Sequence, residues 1–162
     1  MNKHKQKQGF TIIEVVLVLA IAALIFLMVF MALPALQRSQ RDTQRKNDMG
    51  RLKTAIDSYK PNNRGRLPTE LTSSSQPFSS FSFWINYMKA DQGEFNDPDG
   101  SPYLSRYRLR VIGHKPPAGW PHSIFISPGS KCNGEALDSA GGPTNYAIQY
   151  NLENGGVYCI DG

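Results

Sequence analysis

The residues best suited to a chemical role are an acid at the start of a long apolar segment and the glycine–phenylalanine junction before it. Glu14 is the only charged residue between Phe10 and Leu33, and Gly9 directly precedes Phe10. A carboxylate near the middle of a bilayer costs roughly 2.5–3.5 kcal/mol on insertion scales. A buried charge becomes tolerable when an opposite charge pairs with it, so we expect Glu14 to need a cationic partner.

The segment after Glu14 is long enough to span a membrane. Residues 15–33 carry no charge and would form a helix of ~28 Å, about one bilayer core. Lysines at positions 3, 5 and 7 precede it, which predicts a cytoplasmic N-terminus and an exported remainder. A cleaved secretory signal fits less well, because the run is too long and no Ala-x-Ala-like site follows. A plain signal anchor is an alternative, but it leaves Glu14 and the Gly9-Phe10 junction unexplained.

The N-terminal segment resembles the class III leader of type IV pilins and pseudopilins. It has the same order of features: a short basic leader, Gly9, Phe10, Thr11-Ile12-Ile13, Glu14 and an apolar helix. In that family a membrane-embedded prepilin peptidase cuts after the glycine and methylates the new N-terminal phenylalanine. The resemblance implies cleavage between Gly9 and Phe10, N-methylation of Phe10, and pairing of Glu14 with the amine of a neighbouring Phe10. It also implies three kinds of partner: further copies of the chain, the peptidase, and a pilus assembly platform with its ATPase.

The elements that must position this motif begin with one long helix. Met49, Leu52, Ile56 and Tyr59, with Ala55, recur at helical spacing and predict a face that packs on a head domain. Residues 37–48 contain no apolar residue, so we expect that stretch to stay off the core. Breakers at 61–65 predict an end near Lys60, and Pro34 makes Met31–Pro34 the place where the helix would be interrupted.

The predicted organisation is a leader at 1–9, a long helix at 10–60 and a globular head at 61–162. The helix divides into a transmembrane or filament-core part, 10–36, and a stem, 37–60. In the head we expect a short helix at 81–88 and strands at Tyr103–Val111, Ser123–Ser127, Tyr146–Leu152 and Val157–Ile160, the last two joined by the Asn154-Gly155-Gly156 turn. An antiparallel sheet packed on the helix gives the α+β class, which is the type IV pilin fold that the leader implies.

The two cysteines, Cys132 and Cys159, are expected to form a disulfide, because an exported domain meets oxidising conditions. The resemblance agrees, since many pilins close their C-terminal region in this way. Metal binding by the cysteines is disfavoured, since two cysteines without nearby histidines cannot complete a zinc site.

Residues 97–100, Asp-Pro-Asp-Gly, are typical of a turn. They fail the EF-hand pattern, because Arg108 stands where a bidentate glutamate is required. Some pseudopilins bind calcium in the head, so calcium at Asp97 and Asp99 stays an open alternative. We predict no other metal and no cofactor. Catalytic motifs such as HExxH and GxSxG are absent from the sequence, so we do not expect an enzyme.

Arg106, Arg108 and Arg110 share one face of the predicted strand, next to Tyr103 and Tyr107. Such a stripe could grip a DNA backbone, as competence-type pilins do, or it could meet an acidic patch on the next subunit or only water. The basic segment at 37–66, with nine Lys or Arg against three Asp, could bind nucleic acid or anionic lipid. A solvated stem near the membrane is the simpler interpretation.

The function expected from these features is that of a pilin, processed and polymerised into a surface filament for adhesion, twitching motility or DNA uptake. The subunit would cross the cytoplasmic membrane once before assembly, with its head outside. Three alternatives stay open: a DNA-binding minor pilin, a pseudopilin of a secretion system, and a membrane-anchored domain that never polymerises. The sequence does not distinguish a major from a minor subunit.

Overall fold

The computed structural model describes residues 9–72, 82–107, 112–138 and 141–162. The chain divides into two compact units, one ending at Gln37 and the other beginning at Arg38. Part of the predicted strand at Tyr103–Val111 and the start of the predicted helix at 81–88 lie outside the described residues.

Helix α1 covers Ile12–Asn62 and differs from the predicted helix, 10–60, by two residues at each end. The N–H groups of Glu14 and Val15 donate to the carbonyl of Thr11 at its start, and it continues through Pro34 without the predicted interruption. It ends because Arg64 and Gly65 adopt φ values of 58° and 75°, the left-handed conformation that closes helices. The N–H of Gly65 then donates to the carbonyl of Lys60 at 2.8 Å.

The first unit contains the apolar part of α1, whose large side chains are exposed on all sides. By length and composition this is the one helix among the described residues that could cross a membrane. Water-exposed apolar surface of this extent is unfavourable, so the segment needs a bilayer or other apolar helices around it.

The second unit contains a four-stranded sheet in the order β1-β2-β5-β6. The strands are β1 Leu104–Tyr107, β2 Ser123–Pro128, β5 Tyr146–Asn151 and β6 Val157–Asp161. The pairs β2–β5 and β5–β6 are antiparallel, as predicted. A second sheet of two strands, β3 Lys131–Asn133 and β4 Ala136–Asp138, was not predicted. Its two-residue loop, Gly134-Glu135, begins with a glycine, which is a hairpin signal.

Strand β1 corrects the expectation of a purely antiparallel sheet, because it pairs with β2 in parallel, with Leu104 opposite Ser123. Parallel neighbours need a crossover of about a dozen residues or more. Residues 108–122 provide that length, whereas a tight turn would have enforced an antiparallel pair. The predicted α+β class is nevertheless confirmed, with one long helix and a mostly antiparallel sheet.

The core of the second unit lies between α1 and the sheet. Met49, Leu52 and Ile56 of α1 are fully buried, and they belong to the same cluster as Ile126 and Ile148 of the sheet. Helix α2, Ser82–Met88, extends this core through an aromatic group whose members are buried: Phe83, Trp84, Phe95 and Tyr103. The predicted apolar face of the helix is therefore the one that packs.

Candidate functional site

The predicted processing motif lies at the start of α1. Gly9 and Phe10 precede the helix, and Glu14 is in its first turn. The Phe10 side chain is 85% exposed. A Cβ on Gly9 would meet no described atom within 4 Å, so packing among the described residues gives no reason for glycine here.

Glu14 forms no ion pair with any residue that the structure describes. It is followed by the exposed apolar surface of α1, and a carboxylate that is buried in such surroundings is costly without a cation. Any burial of this segment against other helices therefore favours an arrangement in which an amine reaches Glu14.

A cluster of buried charges surrounds Arg45, within the stem. The Arg45 side chain is only 4% exposed. Its Nε and Nη2 donate to the Asp97 carboxylate at 2.8 and 2.7 Å. Its Nη1 lies 3.1 Å from Asp42 and 2.6 Å from Glu153. One guanidinium thus connects α1 with the Asp97 turn and the β5–β6 turn.

The expectation that residues 37–48 stay off the core was wrong, because Asp42, Arg45 and Asp48 are buried. Their polar atoms find partners: the Asp42 carboxylate accepts the N–H groups of Glu153 and Asn154, both at 3.0 Å, and Asp48 accepts the Tyr103 hydroxyl proton. The sequence carries a signal for this, since positions 42, 45 and 48 continue the helical spacing of Met49, Leu52 and Ile56.

The cluster strongly shifts the pKa values of its members. Burial alone would raise the pKa of Asp97, but hydrogen bonds from Arg45 and from the Tyr150 hydroxyl outweigh it and lower that pKa to about 2. The hydrogen bond from Arg41 is the largest cause that lowers the pKa of Glu153, also to about 2. In Asp48, burial outweighs the Tyr103 hydrogen bond and raises the pKa.

A groove of about 790 Å³ lies beside this cluster. Its walls are the loop Lys115–His122 and the turn between β5 and β6, and Asn151 joins them by donating from its side-chain amide to the Pro117 carbonyl at 2.9 Å. Trp120, 42% exposed, forms part of the lining. Sequence reasoning missed Trp120, since an isolated aromatic residue in a Pro/Gly loop carries no periodic signal.

The arginine stripe is described only at Arg106, because Arg108 and Arg110 lie outside the described residues. The Arg106 guanidinium stands 4.1 Å from the centre of the Trp120 ring, which is a close cation–π contact. Arg106 therefore supports the wall of the groove, and the stripe remains a prediction as a contact for DNA or for another subunit.

Asp97, Asp99 and His122 bring potential ligand atoms within 4.8 Å of one another. This geometry does not favour a cation. Both oxygens of Asp97 already accept hydrogen bonds from Arg45, and a guanidinium beside them would repel a metal ion. The segment behaves as a turn, in which the Asp97 N–H donates to the Ser101 carbonyl and the Ser101 N–H donates to Asp99.

The sulfurs of Cys132 and Cys159 are bonded in the structure, with 5.8 Å between their Cα atoms. The bond joins β3 of the small sheet to β6 of the large one. The N–H of Cys132 also donates to the Asp161 carboxylate at 3.0 Å, so two different contacts hold β3 against β6.

Comparison with known families gives one match, which covers residues 4–30, and this is the prokaryotic N-terminal methylation motif. Neither the curated proteins nor the solved structures that were compared gave a match. The matched segment contains Gly9, Phe10 and Glu14 and most of the apolar part of α1. The fold is an α+β arrangement like that of type IV pilins. The chain thus carries the class III, prepilin-type signal and is consistent with a type IV pilin-like protein.

Proposed function

We propose that this chain is a type IV pilin, a structural subunit that is cleaved at Gly9-Phe10, methylated at Phe10 and polymerised into a surface filament. One observation carries the proposal: the methylation motif runs directly into an apolar helix whose side chains are exposed on all sides. Such a helix serves as a membrane anchor before assembly. Against the same helices of other copies it becomes the core of a filament.

Glu14 has the role of an assembly residue in this proposal. Cleavage creates a new amine at Phe10, four residues before Glu14, and the amine of a neighbouring copy neutralises the carboxylate in a dry bundle. An unpaired buried charge is strongly unfavourable, so the pair selects one axial register between copies. The prepilin peptidase, the assembly platform and its ATPase are the partners that processing and extrusion require.

The head in this proposal is an exported domain that lines the filament surface. The bonded pair Cys132–Cys159 is compatible with an oxidising compartment. The motif suggests a structural protein rather than a catalyst. Adhesion, twitching motility and DNA uptake are candidate roles of such a filament.

The test is mass spectrometry of the N-terminal peptide from material sheared off the cell surface. We expect a peptide that begins at Phe10 and carries one added methyl group. A Gly9→Val chain is the matched control and should keep its leader and stay in the membrane fraction. Glu14→Gln should be cleaved normally but assemble poorly, since the amide cannot neutralise the amine.

Two results would contradict the proposal. An intact leader found only in membranes would favour a signal anchor. A methylated Phe10 peptide that is absent from sheared surface material would favour a pseudopilin of a secretion system, because the same motif fits that class.

A further inference from the structure

We propose that two patches of the second unit bind each other between successive copies of the chain, head to tail. The basic patch, Arg64 and Arg66, follows the end of α1. The acidic groove is the groove beside Arg45, with Asp99 and Trp120 in its lining. The proposal rests on the proposed function, and it names the contact between heads that would accompany packing of the apolar helices.

The basic patch presents two guanidinium groups to solvent. Arg64 and Arg66 are exposed and line a cleft of about 350 Å³ together with Tyr59 and Thr69. Neither arginine forms an ion pair within the part of the chain that the structure describes. Asp57, the nearest acid along the stem, is already bound by two lysines, Lys53 and Lys60.

The acidic groove contains carboxylates and an aromatic ring, both of which a guanidinium can bind. Three carboxylates line it, those of Asp99, Glu135 and Glu153. Glu135 is paired with Lys115, and Glu153 with Arg41 and Arg45, so Asp99 is the lining carboxylate that an incoming guanidinium would meet. The charge of Arg45 is already shared with the buried carboxylates behind it, Asp42 and Asp97. The Asp99 side chain is 40% exposed, and among the described residues its ion-pair neighbour is a histidine, His122, 3.4 Å away.

Trp120 makes arginine a better occupant than lysine. A planar guanidinium can stack on an indole and still donate to a carboxylate, which an ammonium does less well. The contact between Arg106 and Trp120 at 4.1 Å shows that this ring already binds one guanidinium. The exposed part of the ring and the Asp99 carboxylate together suit a second one.

The distance between the patches makes the contact directional. Arg45 lies beside the acidic groove, and 17 residues of helix separate it from Asn62 next to the basic patch, which is ~26 Å along α1. The two patches of one copy therefore cannot meet. A contact between two different patches is heterologous and repeats into an open helical assembly rather than a closed dimer, which is why a second copy is the fitting partner.

The test introduces one cysteine into each patch, Asp99→Cys with Arg64→Cys, or Asp99→Cys with Arg66→Cys, in the full-length chain. A disulfide needs Cα atoms within about 7 Å, so the new cysteines cannot bridge within one copy. After mild oxidation of isolated filaments, we expect a ladder of covalent oligomers on a non-reducing gel. Each single variant should give dimers at most.

The matched control is Asp99→Cys with Thr54→Cys, because Thr54 is exposed on the same helix, about halfway between Arg45 and Asn62. Filaments in which both test pairs give no ladder, or no more than this control, overturn the proposal. Failure of the unmodified chain to form filaments would instead overturn the proposed function, so the two failures are distinguishable.

A charge-reversal series covers the case in which the cysteine variants do not assemble. Arg64→Glu with Arg66→Glu should reduce filament yield at least about tenfold, since like charges that are brought together repel. Adding Asp99→Lys to the same chain should restore part of that yield. Unchanged yield in the double variant, or no recovery in the triple variant, contradicts the contact. An intact Cys132–Cys159 bond in each variant verifies that the head has folded.

Discussion

Replacing Arg45 by methionine tests whether one guanidinium holds the stem, the Asp97 turn and the β5–β6 turn together. Methionine keeps much of the side-chain length but leaves the buried carboxylates of Asp97 and Asp42 without their cation. Removing one member of a buried ion pair typically costs about 3–5 kcal/mol. We therefore expect the free energy of unfolding to fall by about that amount, and the melting temperature to fall on the order of 10 °C.

The pH dependence of the free energy of unfolding gives a sharper test than the loss of stability at one pH. In the natural chain the pKa of Asp97 falls from 3.8 to about 2 on folding, which is worth roughly 2 kcal/mol for this buried group. That stabilisation is present above the unfolded pKa and is lost as pH falls through 2. Without Arg45, we expect burial to raise the pKa of Asp97 above its usual value, because only the hydrogen bonds from the Tyr150 hydroxyl and the Asp99 N–H then oppose it. The folded variant then binds the proton more tightly, so its stability should increase as pH falls from 7 toward 4.

The assay is thermal unfolding of the full-length chain in detergent between pH 3 and pH 7, monitored by circular dichroism. Arg45→Lys is the control, since it keeps the charge but loses the two-point bond to Asp97, and it should lose less stability and keep the natural pH trend. The reasoning is refuted if Arg45→Met shows the same pH slope as the natural chain. A loss below about 1 kcal/mol, the range of exposed pairs, would refute it as well.

Three further predictions concern the second unit. Replacing Cys132 and Cys159 by serine opens a loop with a separation of 27 residues and should cost about 3–4 kcal/mol, read from denaturant unfolding; equal stability of the reduced and oxidised natural chain would contradict this. Gly141→Ala should destabilise by about 1–3 kcal/mol, because a Cβ there would lie 2.7 Å from the backbone of Gly129; an unchanged melting temperature would mean that the loop moves aside freely. Asp48→Asn should be neutral or stabilising at pH 7, since burial raises the pKa of Asp48 and so disfavours its charged form. The difference in free energy of unfolding between this variant and the natural chain should shrink as pH falls through that raised pKa, and a difference that grows would contradict the prediction.

Patterns that are local in the sequence account for the processing motif, the helix and most of the sheet. Gly9, Phe10 and Glu14 are separated by a few residues, so their order and spacing can be read directly. The helix bounds follow from an uninterrupted apolar run and a group of breakers. Short runs rich in β-branched and aromatic residues predict β2, β5 and β6. The hairpin between β5 and β6 follows from the turn residues Asn154-Gly155-Gly156, because a short turn of this kind joins the two strands that flank it.

The tertiary structure alone decided what the polar residues do, because their partners are far away along the chain. Helical spacing places Arg45 on the same face as Met49 and Leu52, but its partners are Asp97, 52 residues later, and Glu153, and no local pattern identifies them. The parallel direction of β1 depends on the path of the crossover and not on the residues of the strand. The acidic groove exists only where two distant loops meet. Spacing along the sequence can place a charged residue on the buried face of a helix, but only the fold brings the opposite charge that makes its burial tolerable.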